Sequence, residues 1–92
     1  MNTQQAALTL WDLQAGETAR VTGFDQGLTT AYQGRIMEFG FQPGSQVECL
    51  LTPGFGAPRV YAVSNSVFSL DQEIAQAVFV AVSYTHLRAH ET

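Results

Sequence analysis

The stretch of residues 30–44, TAYQGRIMEFGFQPG, constrains the fold more than any other because it carries both ends of one short helix. Thr30 and Gln33 have the spacing of a capping box, in which each side chain satisfies a free backbone group of the first turn. Gly40 stands where a helix commonly ends in a left-handed residue, and a Pro-Gly pair then predicts a turn. The sequence therefore predicts a helix over residues 30–39, with one apolar face formed by Leu28, Tyr32, Ile36 and Phe39.

Short segments with strand character lie on both sides of this helix. In most of them apolar and polar residues alternate, as in a strand with one buried face. We expect five strands, at residues 17–24, 45–52, 59–63, 67–69 and 77–81. Single helical turns are expected near residues 9–13, where Leu10 or Trp11 would fill one end of the core, and near residues 70–75. This order predicts a mostly β fold, a small barrel of about five strands that closes its own edges, with one inserted α-helix.

Size and charge exclude several functional classes. The length of 92 residues allows one domain. The net charge of −4, with four basic residues and no lysine, argues against nucleic-acid binding because that needs a cationic surface. No apolar run approaches the roughly 18 residues of a membrane helix, so direct membrane insertion is not expected. The chain starts without a signal peptide and its single cysteine permits no internal disulfide, so we expect a cytoplasmic protein.

The last eleven residues, VSYTHLRAHET, differ in character from the rest and hold both histidines. This peptide resembles the one that a common transposase-type sequencing adapter encodes when it is read through in this frame. We therefore interpret residues 82–92 as non-native and residues 1–81 as the domain, and exclude the tail from fold reasoning. The alternative is a genuine polar extension, in which His86 and His90 have the spacing of a helical metal-ligand pair.

The remaining sequence offers few groups for catalysis. Cys49 has no histidine outside the tail to activate it, and strand alternation places it on a face predicted to be buried. Asp71 and Glu73 fall at the start of a helical turn, where carboxylates complement the helix dipole. Other potential metal ligands mix soft with hard donors and show no recognised spacing: Met37, Glu38 and Glu48. We therefore expect no enzyme, no cofactor and no dedicated metal site, and at most a weak association with Fe²⁺.

Arg35 has the best claim to a binding role. It is one of three arginines outside the tail, it lies on the polar side of the predicted helix, and arginine is enriched in protein contacts. The alternative is a solvated arginine, or one paired with Glu38, which contributes little to stability. Apolar residues near the helix and in the loop at residues 53–58 fit either a contact patch or the core. The candidate partner-binding residues are Arg35, Met37, Glu38, Phe41 and Phe55.

An ordered set of short motifs resembles the FeoA family. It begins with Leu10-x-x-Leu13-x-x-Gly16 and ARVTGF at residues 19–24, and continues with RIMEFGFQPGSQV at residues 35–47. A Pro/Gly loop with a phenylalanine follows at residues 53–58, and a Ser-Leu pair with Ala75 completes the match. Each motif alone is weak, but together they cover residues 8–81 in order and are fairly specific.

The resemblance implies a cytoplasmic SH3-like β-barrel that assists ferrous iron uptake. Its implied partner is FeoB, the membrane permease with a cytoplasmic GTP-binding domain. Family members are not enzymes, which agrees with the lack of catalytic groups. The sequence departs from the family pattern at Ile36 and Phe39, where leucine is usual, and it is more acidic than many relatives.

Three functional hypotheses follow. The leading one is a protein-interaction module that docks on the FeoB-type permease through the helix and adjacent loops. An alternative is the SH3-like domain of an iron- or manganese-dependent transcriptional repressor. In such a repressor the SH3-like domain follows a DNA-binding part, so the start of this sequence at Met1 favours a standalone domain. A third is a small protein that binds a transition metal in its own right.

Overall fold

The structure, a computed structural model, describes residues 8–82 as one antiparallel sheet with helices between its strands. The strands are β1 (Leu8–Thr9), β2 (Thr18–Phe24), β3 (Gln46–Leu51), β4 (Arg59–Val63), β5 (Ser66–Leu70) and β6 (Val78–Val82). A 3-10 helix, Leu10–Asp12, follows β1, and the two α-helices are α1 (Thr30–Phe39) and α2 (Gln72–Ala75). The mostly β prediction with one main inserted helix is confirmed, and β1 is a strand that the sequence did not predict.

Alternation along the strands places one face of the sheet in the core. On β2, Ala19 and Val21 are buried, while Arg20 between them is exposed. The same alternation on the next two strands buries Val47, Cys49, Tyr61 and Val63. Leu10 of the 3-10 helix is fully buried as predicted, and Trp11 packs against the core from its edge. Because full burial of a large apolar side chain contributes about 1.5–3 kcal/mol, this face provides the main stabilisation of the fold.

Within residues 8–82 the sheet stays open, so the expectation that it closes its own edges is not met. The strand order is β1-β6-β2-β3-β4-β5, which leaves β1 and β5 as the two edges. The register shifts between Val21 and Gly23 and between Cys49 and Leu51. Such irregularities bend a strand, so they curve the sheet around the core without joining its ends.

Helix α1 begins as predicted at Thr30, but its N-cap is Thr29. The Thr29 hydroxyl accepts a hydrogen bond from the Tyr32 amide at 3.3 Å, and the Gln33 side chain donates to the Leu28 carbonyl at 3.0 Å. Thr30 is therefore the first residue of the helix, and the predicted capping box is wrong. The Gln33 side chain donates to a carbonyl and does not accept from the N-cap amide. The spacing rule indicated a threonine cap at this end of the helix but not which of two adjacent threonines supplies it.

The other end of α1 is a Schellman motif centred on Gly40. Gly40 has a φ of 115°, its amide donates to the Met37 carbonyl at 2.9 Å, and the Phe41 amide donates to the Ile36 carbonyl at 3.1 Å. In this motif the residue after the glycine packs back on the helix. Phe41 accordingly enters the core and is fully buried.

Strands β4 and β5 form a tight hairpin around Ser64 and Asn65. Both turn residues have positive φ angles, 50° and 65°, which match the right-handed twist of the flanking strands. Gly40 lies against this turn, because a Cβ added to Gly40 would come within 2.7 Å of the Ser64 Oγ. The C-terminal end of α1 and the hairpin turn are therefore in direct contact.

Strand β6 extends one residue beyond the predicted domain end at Ala81. Val82 pairs with Ala19 of β2 and belongs to the sheet. The rest of the predicted non-native tail, with His86 and His90, lies outside the described residues.

Candidate functional site

The outward side of α1 carries exposed residues of the types that form protein contacts. Tyr32 is 53% exposed, although the sequence placed it on the buried face of the helix. Arg35 lies three residues later and is also exposed, so the two side chains are neighbours on the helix surface. Tyrosine and arginine, with tryptophan, are enriched among the residues that dominate the binding energy of protein interfaces.

A groove lies on one side of Tyr32, between the N-terminal half of α1 and α2. Its volume is about 360 Å³. The floor is apolar and the rim carries two carboxylates; the lining residues are Asp25, Gly27, Leu28, Thr29, Tyr32, Glu73, Ile74 and Ala77. One oxygen of Asp25 already accepts a hydrogen bond from the Gly27 amide at 2.8 Å, which fixes that carboxylate at the rim. The groove therefore offers an apolar slot with a negative rim.

A second recess lies on the other side of Tyr32. It is lined by Thr29, Ala31, Tyr32 and Arg35. Tyr32 and Thr29 line both depressions, so the tyrosine forms the ridge between a negative groove and a recess that contains a guanidinium. This arrangement can orient a partner by charge, because complementary potentials determine the register of an interface more than its affinity.

The sequence-predicted residues on α1 divide between this surface and the packed side of the helix. Arg35 and Glu38 are both exposed and lie three residues apart, so they share a face. Met37 is only half-buried, and its carbonyl accepts hydrogen bonds from Gly40 and from the Gln42 side chain. Arg35 and Glu38 therefore share the exposed face of the helix, whereas Met37 is partly covered.

The two aromatic candidates have opposite positions. Phe41 is fully buried and therefore forms no part of a contact surface, which corrects that prediction. Phe55 is completely exposed at the tip of the β3–β4 loop, with a φ of 59°. Its neighbour Gly56 lies near the Gln72 side chain at the start of α2. The loop that carries Phe55 therefore lies beside α2, one of the two elements that line the groove.

Arg59 has a structural position that the sequence did not indicate. Its guanidinium lies 4.0 Å from the centre of the Trp11 ring, and its Nη1 donates to the Trp11 carbonyl. Cation–π and charged hydrogen-bond contacts of this kind link β4 to the 3-10 helix. Of the three arginines outside the predicted tail, Arg20 and Arg35 are the exposed ones.

Cys49 is a buried residue of the core, as alternation predicted. Its side chain is 0% exposed, and burial is the main cause that raises the pKa of its thiol. A protonated, inaccessible thiol is a poor nucleophile and metal ligand. Among residues 8–82 no group of three histidine, cysteine or acidic side chains is placed to hold a metal ion. No helix in this part of the chain has the length and apolar character needed to cross a membrane.

Comparison with known proteins gives one family. The model of the FeoA domain matches residues 8–82, which is the whole described part of the chain. No curated protein sequence matches the chain significantly.

Three solved structures illustrate the similarity. FeoA of Stenotrophomonas maltophilia, solved in complex with zinc, is 30% identical with a TM-score of 0.71, over 80% of this chain and 89% of that one. That protein is described as a prokaryotic SH3 domain protein with a suggested role as a ferrous iron transport activating factor. FeoA of Chlorobium tepidum is 23% identical with a TM-score of 0.73, over 82% of this chain and 70% of that one. A manganese-dependent transcriptional repressor in complex with manganese is 21% identical with a TM-score of 0.75, over 87% of this chain but 38% of its own. The SH3-like fold predicted from the sequence is therefore confirmed.

Proposed function

The chain belongs to the FeoA family, and on that premise we propose that it is a cytoplasmic accessory protein that docks on a FeoB-type ferrous iron permease. Membership of the family supports an accessory role in ferrous iron transport. The relative from Stenotrophomonas maltophilia, with its suggested role as an activating factor, supports a regulatory contact in preference to catalysis. The observation that carries the proposal is the exposed Tyr32 between two depressions of different charge.

Tyr32 is the proposed anchor of the interface. A half-exposed tyrosine offers a large apolar surface with a polar tip and loses little conformational freedom when it binds. Because it stands on the rigid first turns of α1, which are capped by Thr29, its position is determined before the partner arrives. Sequence reasoning missed this residue since its spacing with Leu28 and Ile36 fits the apolar face. The available signal was the Tyr-x-x-Arg pair on one helix side.

The charges around Tyr32 indicate the chemistry of the partner. Asp25 and Glu73 line the groove without a cationic side chain among the lining residues, so a lysine or arginine of the permease would find complementary charge there. Arg35 on the opposite side would face a carboxylate. The two contacts together would favour one orientation of the partner segment over the reverse one.

A binding assay with two matched charge variants tests the proposal. The full chain and its variants would be titrated against the cytoplasmic part of the same organism's permease, with and without guanine nucleotide. Arg35→Ala and Tyr32→Ala are expected to raise the Kd about tenfold or more, as for central interface residues. Arg20→Ala removes the same charge from an exposed position on β2 and should leave the Kd unchanged.

The stability of each variant separates a contact residue from a structural one. Both Arg35 and Tyr32 are exposed, so their removal should change the free energy of unfolding by less than about 0.5 kcal/mol. Absence of binding by the unmodified chain across salt and nucleotide conditions would refute docking. Equal weakening by Arg20→Ala would show that net charge, and not this surface, controls the contact.

The similarity to a manganese-dependent repressor supports a second possibility, an SH3-like domain that works beside a DNA-binding part. That similarity, at 21% identity, establishes the fold and not the function. A metal-binding function of its own is a third proposal. Titration of the full chain with Fe²⁺ and Mn²⁺ would distinguish it, because stoichiometric binding with a rise in thermal stability is expected only if the chain binds a metal directly.

A further inference from the structure

Strand β5 is an edge strand without the features that usually protect such edges. It pairs with β4 on one side, and no other strand of residues 8–82 pairs with its second side. Its sequence, SVFSL, contains no charged residue and no proline, and its register with β4 runs from Val63–Ser66 to Arg59–Leu70 without a bulge. Natural edge strands generally carry lysine, proline or a bulge, because unpaired backbone groups otherwise recruit another strand.

The hairpin geometry determines which backbone groups face outward. A two-residue turn with positive φ at both positions closes on a pair that exchanges both hydrogen bonds, here Val63 and Ser66. Hydrogen-bonded pairs alternate along an antiparallel ladder, so Phe68 and Leu70 also direct their amide and carbonyl toward β4. The amides and carbonyls of Val67 and Ser69 therefore point away from the sheet.

These outward groups lie symmetrically about Phe68, which makes the edge complementary to itself. We propose that β5 is a self-association edge, on which a second copy of this chain pairs its own β5 antiparallel about a twofold axis at Phe68. In that register Val67 pairs with Ser69 of the second copy, and Ser69 with its Val67. All four outward backbone groups of each copy then find a partner, as a twofold, isologous contact requires.

The side chains agree with this register. Phe68 stacks on Phe39 with ring centres 4.6 Å apart, and both rings are partly exposed. The twofold axis brings the Phe68 side chains of the two copies to directly opposite positions, where side chains approach closest in an antiparallel pair. On the opposite face of the strand, Val67 is 60% exposed and would be covered.

Charge does not oppose a second copy at the edge itself in this arrangement. The formal net charge of −4 makes two copies repel each other at most approaches. The register centred on Phe68 sets Asp71, the first acid after the strand, opposite the uncharged Asn65 of the second copy, so the Asp71 residues of the two copies do not face each other. The remaining repulsion is long-ranged and screened by salt, so added salt should strengthen this association. The proposed docking contact at Arg35 should instead weaken when salt is added, because salt screens the attraction between opposite charges.

Sedimentation and amide exchange of the full chain test the proposal together. The apparent mass is expected to rise toward that of a dimer with concentration and with salt. Amides of Val67 and Ser69 should exchange rapidly in dilute solution and become protected as the dimer forms. The Phe68 amide, which bonds to β4, should be protected at both concentrations. A chain that stays monomeric to about millimolar concentration would overturn the proposal.

Three variants identify the surface. Val67→Lys places a charge at the edge, and Ser69→Pro removes one outward amide from each copy; each should weaken the dimer about tenfold or more. Leu51→Lys is the matched control, because Leu51 is 57% exposed, close to Val67, but lies on the internal strand β3. Weakening by Leu51→Lys as strong as by Val67→Lys would assign the contact to general surface apolarity and refute the edge pairing.

Discussion

Tyr61 joins distant parts of the chain through one buried hydroxyl. Its Oη donates a 3.0 Å hydrogen bond to the carbonyl of Leu10, and both residues are fully buried. The bond fastens the 3-10 helix to β4, next to the contact between Arg59 and Trp11. The first turn of the domain is therefore attached to the sheet by polar contacts as well as by burial.

Replacing Tyr61 with Phe removes this hydrogen bond and keeps the ring. We expect the free energy of unfolding to fall by about 1 kcal/mol, the usual net value of a buried hydrogen bond. Chemical denaturation at neutral pH measures the change. An unchanged midpoint would mean that the hydroxyl is equally well satisfied by water in the unfolded chain.

Alkaline pH should remove the same contribution. Burial raises the pKa of Tyr61 above its ordinary value of 10.0, so above that pH the unfolded chain loses the phenol proton while the folded chain keeps it. The unfolded state then binds fewer protons, and stability falls by up to about 1.4 kcal/mol per pH unit. The Tyr61→Phe variant lacks this dependence, so the two stability curves should converge above pH 10. Curves that stay parallel would contradict a buried phenol.

Single residues were predictable from sequence where a local rule determined them. The alternation that buries Cys49 holds because its strand has one core face. Phe41 fits either a contact patch or the core by its sequence, and the glycine before it is the local signal that favours the core, where it is found. Tyr32 was assigned to the core because helical spacing indicates which residues share a face, but not how far the sheet beneath extends to cover it.

Helix α1 depends on two glycines with opposite requirements. Gly40 has a φ of 115° and would place a Cβ within 2.7 Å of the Ser64 Oγ. Gly34 lies inside the helix and has no atom within 4 Å of an added Cβ. Position 40 therefore needs glycine, whereas glycine at position 34 only lowers the stability of the helix.

Exchanging each glycine for alanine should change stability in opposite directions. Gly40→Ala is expected to lower the free energy of unfolding by about 2 kcal/mol, from the left-handed backbone and the contact with the hairpin turn. Gly34→Ala should raise it by about 0.5–1 kcal/mol. Thermal and chemical unfolding of the two variants provide the comparison, and a neutral Gly40→Ala would show that the helix ends differently.

The elements were predicted better than their connections. The bounds of α1 and of β4 agree with the sequence, because a Schellman ending and a turn with strand alternation are local signals. The capping residue was shifted by one, since two adjacent threonines present the same side chain. Strand β1 was not predicted because a strand of two residues is too short to show an alternation of apolar and polar residues. Its pairing with β6 depends on tertiary contacts. Whether the two edge strands pair with each other also depends on contacts between residues far apart in the sequence. The pattern of short strands therefore did not predict that the sheet stays open.

The whole molecule presents two surfaces with different physical character. The α1 surface combines Tyr32 with charges of both signs, whereas the β5 edge is uncharged and exposes backbone groups. Opposite responses to salt therefore distinguish permease docking from self-association. Because Val67 lines neither depression beside Tyr32, we expect Val67→Lys to weaken the proposed dimer and leave the proposed docking contact unchanged.

The most direct measurement is NMR mapping of the isotope-labelled chain as the cytoplasmic part of the same organism's FeoB-type permease is added. The backbone resonances of residues 25–35 and 72–77, which include the groove lining, are expected to shift or broaden. Those of the central strand β3 should not change. Unchanged spectra at a saturating amount of the permease domain, or changes confined to residues outside α1, α2 and their adjoining loops, would contradict docking through this surface.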